Sequence, residues 1–584
     1  MKKSAFAAIL LFYAGFQAQT ADFTENFDSG KLNEKLWSGD FKITDSAAET
    51  AGKNDPFFGN GTSFVKLSAG LQTTNILKLS PLVIEEPSVL TFRYKTEIDS
   101  RANQQFTVSV NGENPVSYTG SNAGWRTGRL SLKSGEHTVI FQTSAKNMQI
   151  TGGYNAVYLD DIMLIPDKPV KLSMFPAAAV DSFVGAEGAA QIHFSPSMLR
   201  SDGSVRPNKE AVTWTVYKDK IENGEVSATI AKVNPDGFFS AAQTGVYIVS
   251  AKSAGFTALS GEITIHPANY LLEPYTYPGT GKTYSGFIKA QSASPPAPSS
   301  ASIHITQPPA RDFETDAFFT LEGKITKPKA RNYGRVEIIK KSEKGQKTPP
   351  LKTWYIINDS FSCRIWLPFG EGEYTVTVQI FDSVTLTNPQ KGEGALRGGS
   401  YTEEPLEFNV INTRQENGLD GDGRWIYPSY FIQSDSFVVT NLMREITANL
   451  KTDLEKITAI HDYVVSELVY DQQSLRNPGR ARKTDAVSVI ENKTALCEGY
   501  SYLSAALMRS AGINVRIVTS RSINHAWNNV YNNGKWLFYD ATWDDPVPDR
   551  GPEIIGRTYF LLESLTGGGS RHGNQGKIMI GDVE

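Results

Sequence analysis

Three residues toward the C-terminal end carry side chains that together can do acyl chemistry: Cys497, His525 and Asp540. A thiolate attacks carbonyl carbon, an imidazole takes and returns a proton near neutral pH, and a carboxylate holds that imidazole in one orientation. Cys497 follows the polar stretch Thr494-Ala-Leu at the start of a segment, Leu496 to Ser510, that reads as a helix stopped by Ala511-Gly512. Unpaired amides at a helix N-terminus favour negative charge and a nearby imidazolium adds to this, so a thiol placed there can become thiolate at neutral pH. The other cysteine, Cys363, lies in Ser360-Phe-Ser-Cys-Arg-Ile365, where it shares a strand face with Phe361 and Ile365 and reads as core.

The base and its orienter are linked by a turn. Asn533-Gly534 separates two aromatic-rich runs, His525 to Tyr531 and Lys535 to Thr542, and Asn-Gly is the strongest short signal for a two-residue hairpin. That turn pairs Asn532 with Lys535. Continuing the register sets Trp527 opposite Asp540 and His525 opposite Thr542, so His525 and Asp540 fall on one face as diagonal neighbours, with Cβ atoms roughly 7 to 8 Å apart. A one-residue slip would separate them. Upstream, Ile457, Ile460, His461, Val464, Val465 and Leu468 recur at helical spacing within Asp453 to Tyr470.

These residues resemble the transglutaminase-like superfamily of papain-fold thiol enzymes. The resemblance rests on Ala495-Leu-Cys497-Glu-Gly-Tyr500, Asn524-His525-Ala-Trp527-Asn-Asn-Val530 and Gly534-Lys-Trp536-Leu-Phe-Tyr-Asp540-Ala-Thr-Trp543-Asp544. It also includes an upstream helix ending in Val469-Tyr470-Asp471 and the order Cys, His, Asp at spacings of 28 and 15 residues. It covers about Trp425 to Asp545. It implies that Cys497 attacks an amide carbonyl, His525 moves the proton, Asp540 holds the imidazole, and a thioester acyl-enzyme forms. Water or an amine then resolves that intermediate, with hydrolysis slightly favoured over cross-linking. The substrate expected is protein or peptide, including cell-wall peptide. The alternative is a non-enzymatic surface adhesion protein that keeps a papain-like binding module. The Cys497 amide supplies one oxyanion donor, with Tyr470, Gln472 and Gln473 as candidates for a second. Trp527, Trp536 and Trp543 read as hairpin packing, with a wall of the acyl site as the alternative role for one of them. His461, on an apolar helical face, reads as a satisfied core histidine, His572 as solvated, and Asp420-Gly-Asp-Gly423 as a surface turn.

The elements that position this site belong to the last part of a long chain. At roughly 100 to 200 residues per domain, 584 residues predict about three to five domains. The composition is that of a globular protein, with 40% hydrophobic and 21% charged residues. Lys plus Arg number 58 against 62 Asp plus Glu, so no basic surplus points to nucleic acid. Two cysteines exclude a disulfide framework and a Cys-rich metal centre, and no cofactor is expected at the catalytic residues. A basic start, an apolar run from Ala5 to Phe16 and a small-residue exit read as a secretory signal peptide over 1–21, and no other window is long and apolar enough for a membrane anchor. The expected location is extracellular, periplasmic or cell-surface.

The expected fold is multidomain: three β-sandwiches, the first jelly-roll-like and the next two immunoglobulin-like, followed by an α+β papain-like transglutaminase-core domain. Residues 22–167 show alternating strands such as Val89-Leu-Thr-Phe-Arg-Tyr94. Their ends, Phe23 to Gly30 and Tyr158 to Ile162, resemble the first and last strands of jelly-roll adhesin and carbohydrate-binding modules, which implies a surface glycan as partner. Glu25, Asp28, Asp160 and Asp161 are read as solvated strand-end carboxylates, with a structural calcium as the alternative. Residues 168–267 resemble bacterial immunoglobulin-like domains, 268–300 is a Pro/Ser-rich linker, 301–412 is a third sandwich, and 413–584 is the catalytic domain. Gly135, Gly245 and Gly372 each open an apolar strand, and Tyr247 and Tyr374 are placed to form tyrosine corners.

Overall fold

In the computed structural model the described residues are 23–25, 37–39, 42–44, 64–68, 74–97, 105–118, 126–144, 156–292, 294–298, 303–326, 332–341, 351–357, 360–381, 384–386, 396–398, 405–415, 423–476, 484–520, 522–545, 555–563 and 576–579. The expected signal peptide and Asp28, Asp420, Asp422 and His572 lie outside them. The described chain is mostly β-sheet, with its α-helices confined to a C-terminal domain. It divides into two compact units, one running to residue 173 and including 197–209, the other made of 174–196 and 210 onward.

The first unit holds two antiparallel sheets. One joins Lys42–Thr44, Phe64–Ser68, Ala156–Pro166, Ser88–Glu97 and Arg126–Leu132; the other joins Trp37–Gly39, Thr74–Ile84, Gly135–Ser144, Gln105–Val110 and Glu113–Tyr118. Alternate side chains of both meet in one core that includes Leu77, Leu79, Leu90, Phe92, Phe106, Phe141 and Leu159. The strand Phe23–Glu25 lies along Ala156–Pro166, with Phe23 opposite Leu164, so the two segments that mark the ends of this region are neighbours in its sheet. Asp160 and Asp161 are buried rather than solvated. They sit where the pairing register with Ser88–Glu97 shifts, and Arg93 Nη1 reaches Asp161 Oδ2 at 3.4 Å. Nor does this unit end at residue 167. Asp167 accepts Arg200 at 2.8 Å and Arg206 at 2.9 Å, which holds 197–209 to it.

In the second unit, Val180–Phe183, Ile263–His266, Gly245–Ser253 and Thr213–Lys218 form one sheet. Farther along, a six-stranded sheet that includes Asp312–Thr315, Leu406–Asn412 and Gly372–Phe381 shares a core with the three-stranded sheet of Ile303–Gln307, Phe318–Ile325 and Ser360–Trp366. Tyr247 Oη donates to Gln243 O at 2.9 Å and Tyr374 Oη to Gly370 O at 2.6 Å, each reaching four residues back. The glycine before each tyrosine takes a φ of 143°, and Gly135 of the first unit takes 130°, a region that favours glycine. Cys363 sits beside the core, its Sγ 3.7 Å from Leu321 O, and burial pushes its pKa up to about 12.

The stretch expected as a linker contains structure. Tyr275–Thr276 pairs with Thr283–Tyr284, and Tyr275, Tyr277 and Tyr284 are buried against Trp366, Phe318 and Tyr427. Farther on, Arg311 N donates to Pro295 O and Ala297 N to Pro309 O, so the proline-rich segment is tied to the following module. Prolines keep such a stretch extended, but they leave its carbonyls free to accept.

The C-terminal domain contains α1 (Phe437–Ile446), α2 (Asp453–Glu467), α3 (Gln472–Arg476), α4 (Ala486–Asn492), α5 (Cys497–Ser510) and α6 (Ala541–Asp544). Thr452 and Glu455 form a capping box at the start of α2, and Asp485 caps α4. α2 ends at Glu467, three residues before the expected stop, because Val469–Tyr470 leaves it to pair in parallel with Thr494–Ala495. Every residue of α5 from Glu498 to Ser510 is buried, so α5 is the central element of the domain. Around it lie α1, α2, α4 and the sheet ordered Lys535–Tyr539, His525–Asn532, Val515–Ser520 and Lys577–Ile578.

Candidate active site

The hairpin has the expected register. Asn533 and Gly534 take φ values of 49° and 81°, the signs a type I′ turn requires, and Asn532 pairs with Lys535 through to Asn528 with Tyr539. The strand then stops short of Thr542. Asp540 turns its Oδ1 toward the amides of Thr542, at 3.0 Å, and Trp543, at 3.2 Å, and so caps α6. Its other oxygen, Oδ2, accepts from His525 Nε2 at 2.7 Å. One buried carboxylate therefore ends a strand, starts a helix and holds the imidazole, leaving His525 Nδ1 as the other ring nitrogen. The His525 ring stacks on Trp543, with centroids 4.8 Å apart and planes 16° apart, and also lies beside Trp527 at 5.9 Å. Trp536 packs elsewhere, against Arg516 and Trp425.

Cys497 is the first residue of α5 and is half-buried. Asn528 Nδ2 donates to Ser501 O at 3.1 Å, which fastens the histidine strand to α5 one turn beyond Cys497. The backbone N–H of Ala526, next to His525, points at the Cys497 sulphur. The three residues singled out from sequence are thus brought to one place, at the junction of α5, the hairpin and α6. Burial pushes the Cys497 pKa well above its ordinary value, the Glu498 carboxylate adds to this, and the Ala526 amide only partly opposes them. The Cys497 Sγ–H donates to Glu498 Oε2 at 3.5 Å.

Residues 440–541 match the family model described as the transglutaminase-like superfamily. This region is a transglutaminase-like domain. The chain is 27% identical over 140 residues to the human kyphoscoliosis peptidase, a match that covers 20% of this chain and 21% of that protein. It thus spans about a fifth of the length of the curated relatives it matches. A solved structure from Cytophaga hutchinsonii, provisionally assigned as a cysteine protease, is 19% identical, with 48% of this chain and 77% of that one covered at a TM-score of 0.19. The K1 cleaved adhesin domain of Lys-gingipain from Porphyromonas gingivalis is 19% identical, with 26% and 100% covered at a TM-score of 0.16.

Within the transglutaminase-like domain, His461 is fully buried, with Nε2 3.2 Å from Asp544 Oδ2 and Nδ1 3.3 Å from Asp462 Oδ1. Burial pushes its pKa down, but the two carboxylates outweigh that and raise it. His461 therefore ties α2 to α6, the short helix that Asp540 caps. Tyr500 Oη donates to Asp545 Oδ2, a second tie between α5 and the end of α6. Tyr470 pairs with Ala495, two residues before Cys497, and Gln472 and Gln473 open α3 just beyond it. Sequence reasoning passed over Glu498, Asp544, Asp545 and the Ala526 amide. Glu498 adjoins the cysteine, yet only the placement of α5 turns its carboxylate to the sulphur. Among the described residues no group of three or more His, Cys, Asp or Glu is placed to hold a metal ion, and no helix is long and apolar enough to cross a membrane.

Proposed function

We propose that the transglutaminase-like domain is a cysteine-dependent enzyme that cleaves amide bonds of protein or cell-wall peptide, by hydrolysis or by acyl transfer. The observation that carries this reading is the 2.7 Å bond from His525 Nε2 to Asp540 Oδ2 beside a sulphur that receives the amide of the next residue, Ala526. In the reaction the Cys497 proton passes to His525 Nδ1, and the sulphur bonds to the amide carbon. The Cys497 backbone N–H, at the first position of α5 and without an intrahelical acceptor, donates to the oxyanion. The C–N bond then breaks as His525 returns the proton to the leaving nitrogen, and a thioester remains. Water or an amine adds to it and gives its proton to His525, and the C–S bond breaks as His525 returns that proton to the sulphur. Asp540 holds the ring throughout and offsets its charge when protonated. Hydrolysis is favoured, in keeping with the peptidase name of the human relative.

The upstream β regions are read as three sandwich modules, one jelly-roll-like and two immunoglobulin-like, with the catalytic domain from 413 onward. They would place an exported enzyme at a surface, the first module through a glycan. A structural calcium has little support beside Asp160 and Asp161, since Arg93 already answers the Asp161 charge.

Alkylation tests the reading. Purified protein is treated with iodoacetamide across pH, and Cys497→Ala is assayed on a Gln-containing protein with a labelled amine. An activity lost in Cys497→Ala supports the enzyme, and free ammonia without amine incorporation assigns hydrolysis. Alkylation no faster than an ordinary thiol, with every activity intact in Cys497→Ala, returns the non-enzymatic binding module. The raised Cys497 pKa is the observation that favours this second reading.

A further inference from the structure

Away from the Cys497 centre, the second unit contains a cavity of about 310 Å³ between the Phe175–Ser195 segment and helices α1, α2 and α4. Its walls include Pro176, Val180, Ile192, Leu442 and Ile490, so most of what it offers a ligand is apolar. That volume is at the lower end of small-molecule sites, and a largely apolar wall with few polar groups is their usual make-up.

Three charged side chains line this space, Lys493, Glu467 and Glu445, and they are not equally answered. Lys493 Nζ donates to Tyr463 Oη and lies 3.5 Å from Glu467 Oε2, so the cation has its partners. Glu445 is 6% exposed. Its Oε2 accepts the backbone amides of Ala177 and Ala178, both at 2.9 Å. Among the described residues no cationic side chain reaches Glu445 and no donor meets Oε1. Amides stabilise a carboxylate but do not neutralise it, and a carboxylate with little water needs a counter-charge. Burial accordingly pushes the Glu445 pKa up despite the two amides.

We propose that this cavity binds an organic ammonium ion with an apolar body, its N–H donors meeting Glu445 Oε1 and its body lying against Leu442, Ile490 and Ile192. The charge sets the class. An anion would meet Glu445 with nothing to offset it, because Lys493 is already engaged. A neutral apolar molecule would leave the carboxylate oxygen covered and unsatisfied. This site does not depend on the catalytic reading, since Cys497, His525 and Asp540 do not line it.

The test is calorimetric titration of the full chain at neutral pH with hexylammonium and with hexan-1-ol, which has the same apolar body and no charge. Hexylammonium is expected to bind saturably at one site, and both hexan-1-ol and the Glu445→Gln protein are expected to show binding about tenfold or more weaker, the loss of one charge-assisted hydrogen bond. Gln keeps a carbonyl oxygen for Ala177 and Ala178. Leu442→Trp, three residues before Glu445 on α1, fills the cavity without altering the carboxylate and is expected to abolish binding, which keeps the test informative if Glu445→Gln misfolds. Cys497→Ala is expected to bind as the parent does. The proposal is overturned by absence of saturable binding, by hexan-1-ol binding as tightly as hexylammonium, by full affinity in folded Glu445→Gln or Leu442→Trp, or by loss of binding in Cys497→Ala.

Discussion

Glu498 Oε2 stands 3.5 Å from Cys497 Sγ and accepts its proton's hydrogen bond. A carboxylate there stabilises the thiol and repels the thiolate, so it acts against ionisation of the residue it adjoins. Replacing Glu498 with Gln removes the charge while retaining an oxygen acceptor. The pH midpoint of Cys497 alkylation is expected to move to lower pH, with a several-fold faster rate at neutral pH. An unchanged profile in a folded Glu498→Gln protein counts against this role.

Asp540 divides its oxygens between two tasks, and two substitutions separate them. Asp540→Asn can still offer a carbonyl to the amides of Thr542 and Trp543, but its amide nitrogen then faces His525 Nε2 and turns the ring into the tautomer whose Nδ1 already carries a proton. Turnover is expected to fall on the order of 10²- to 10⁴-fold, the usual worth of a general base, with little change in unfolding temperature. Asp540→Ala is expected to lose the same activity and about 1 kcal/mol of stability as well, the cost of a missing helix cap. Equal stability of the two variants would dissociate the cap from the side chain.

A pH-dependent contact joins α1 to the preceding β region. His266 Nε2 lies 2.9 Å from Asp181 Oδ1 and Nδ1 lies 2.9 Å from Glu273 Oε2, while Arg444 also pairs with Asp181. Asp181 raises the His266 pKa, burial opposes it, and Glu273 adds to the rise. Burial pushes Asp181 up, but His266 and Arg444 outweigh it and hold it below its ordinary value. The histidine's contribution is therefore complete below its unfolded pKa of about 6.5 and is lost as pH rises through the folded value; the aspartate's is present above its unfolded value and is lost as pH falls through the depressed one. Urea unfolding is expected to show about 1–2 kcal/mol of stability lost as pH rises from below about 6.5 through the raised folded value. A His266→Gln protein that keeps the parent's loss would sink this assignment.

Two glycines of the second unit give a graded pair. Gly534 has a φ of +81° and open space where a Cβ would stand, so Gly534→Ala costs only the left-handed backbone, about 1 kcal/mol. At Gly279 an added Cβ would lie 1.9 Å from the Ala511 carbonyl carbon, and backbone must move. Gly279→Ala is expected to destabilise the protein more, with the order reversed only if the Gly279 to Ala511 contact is absent in solution. The readout is the urea midpoint of each variant.

What was legible in the sequence was local in origin. Asn533-Gly534 dictates its own φ angles, and from that turn the register of the His525 strand follows without knowledge of anything else. Periodicity likewise reveals α2 and the burial of His461. The end of the second hairpin strand was not legible, because Asp540 is a residue that a strand continues through until its side chain finds the Thr542 and Trp543 amides. Glu498 needed the direction of α5. Tyr275, Tyr277 and Tyr284 stand in a stretch rich in Gly and Pro, and their partners Trp366 and Tyr427 lie about 80 to 150 residues away, a distance that no window of local pattern spans. The buried Asp160 and Asp161 look like surface carboxylates until Arg93, on a neighbouring strand, is set beside them.

The tyrosine hairpin bears on where this protein can be cut. Gly279 N donates to Ser510 O at 2.9 Å, at the last residue of α5, and Tyr277 Oη donates to Ile426 O at 2.8 Å. A fragment trimmed to residues 413–584 would shed both contacts and leave Tyr427 with an uncovered aromatic face. A fragment that begins upstream of residue 275 keeps both contacts, one of which meets the far end of the helix that Cys497 opens.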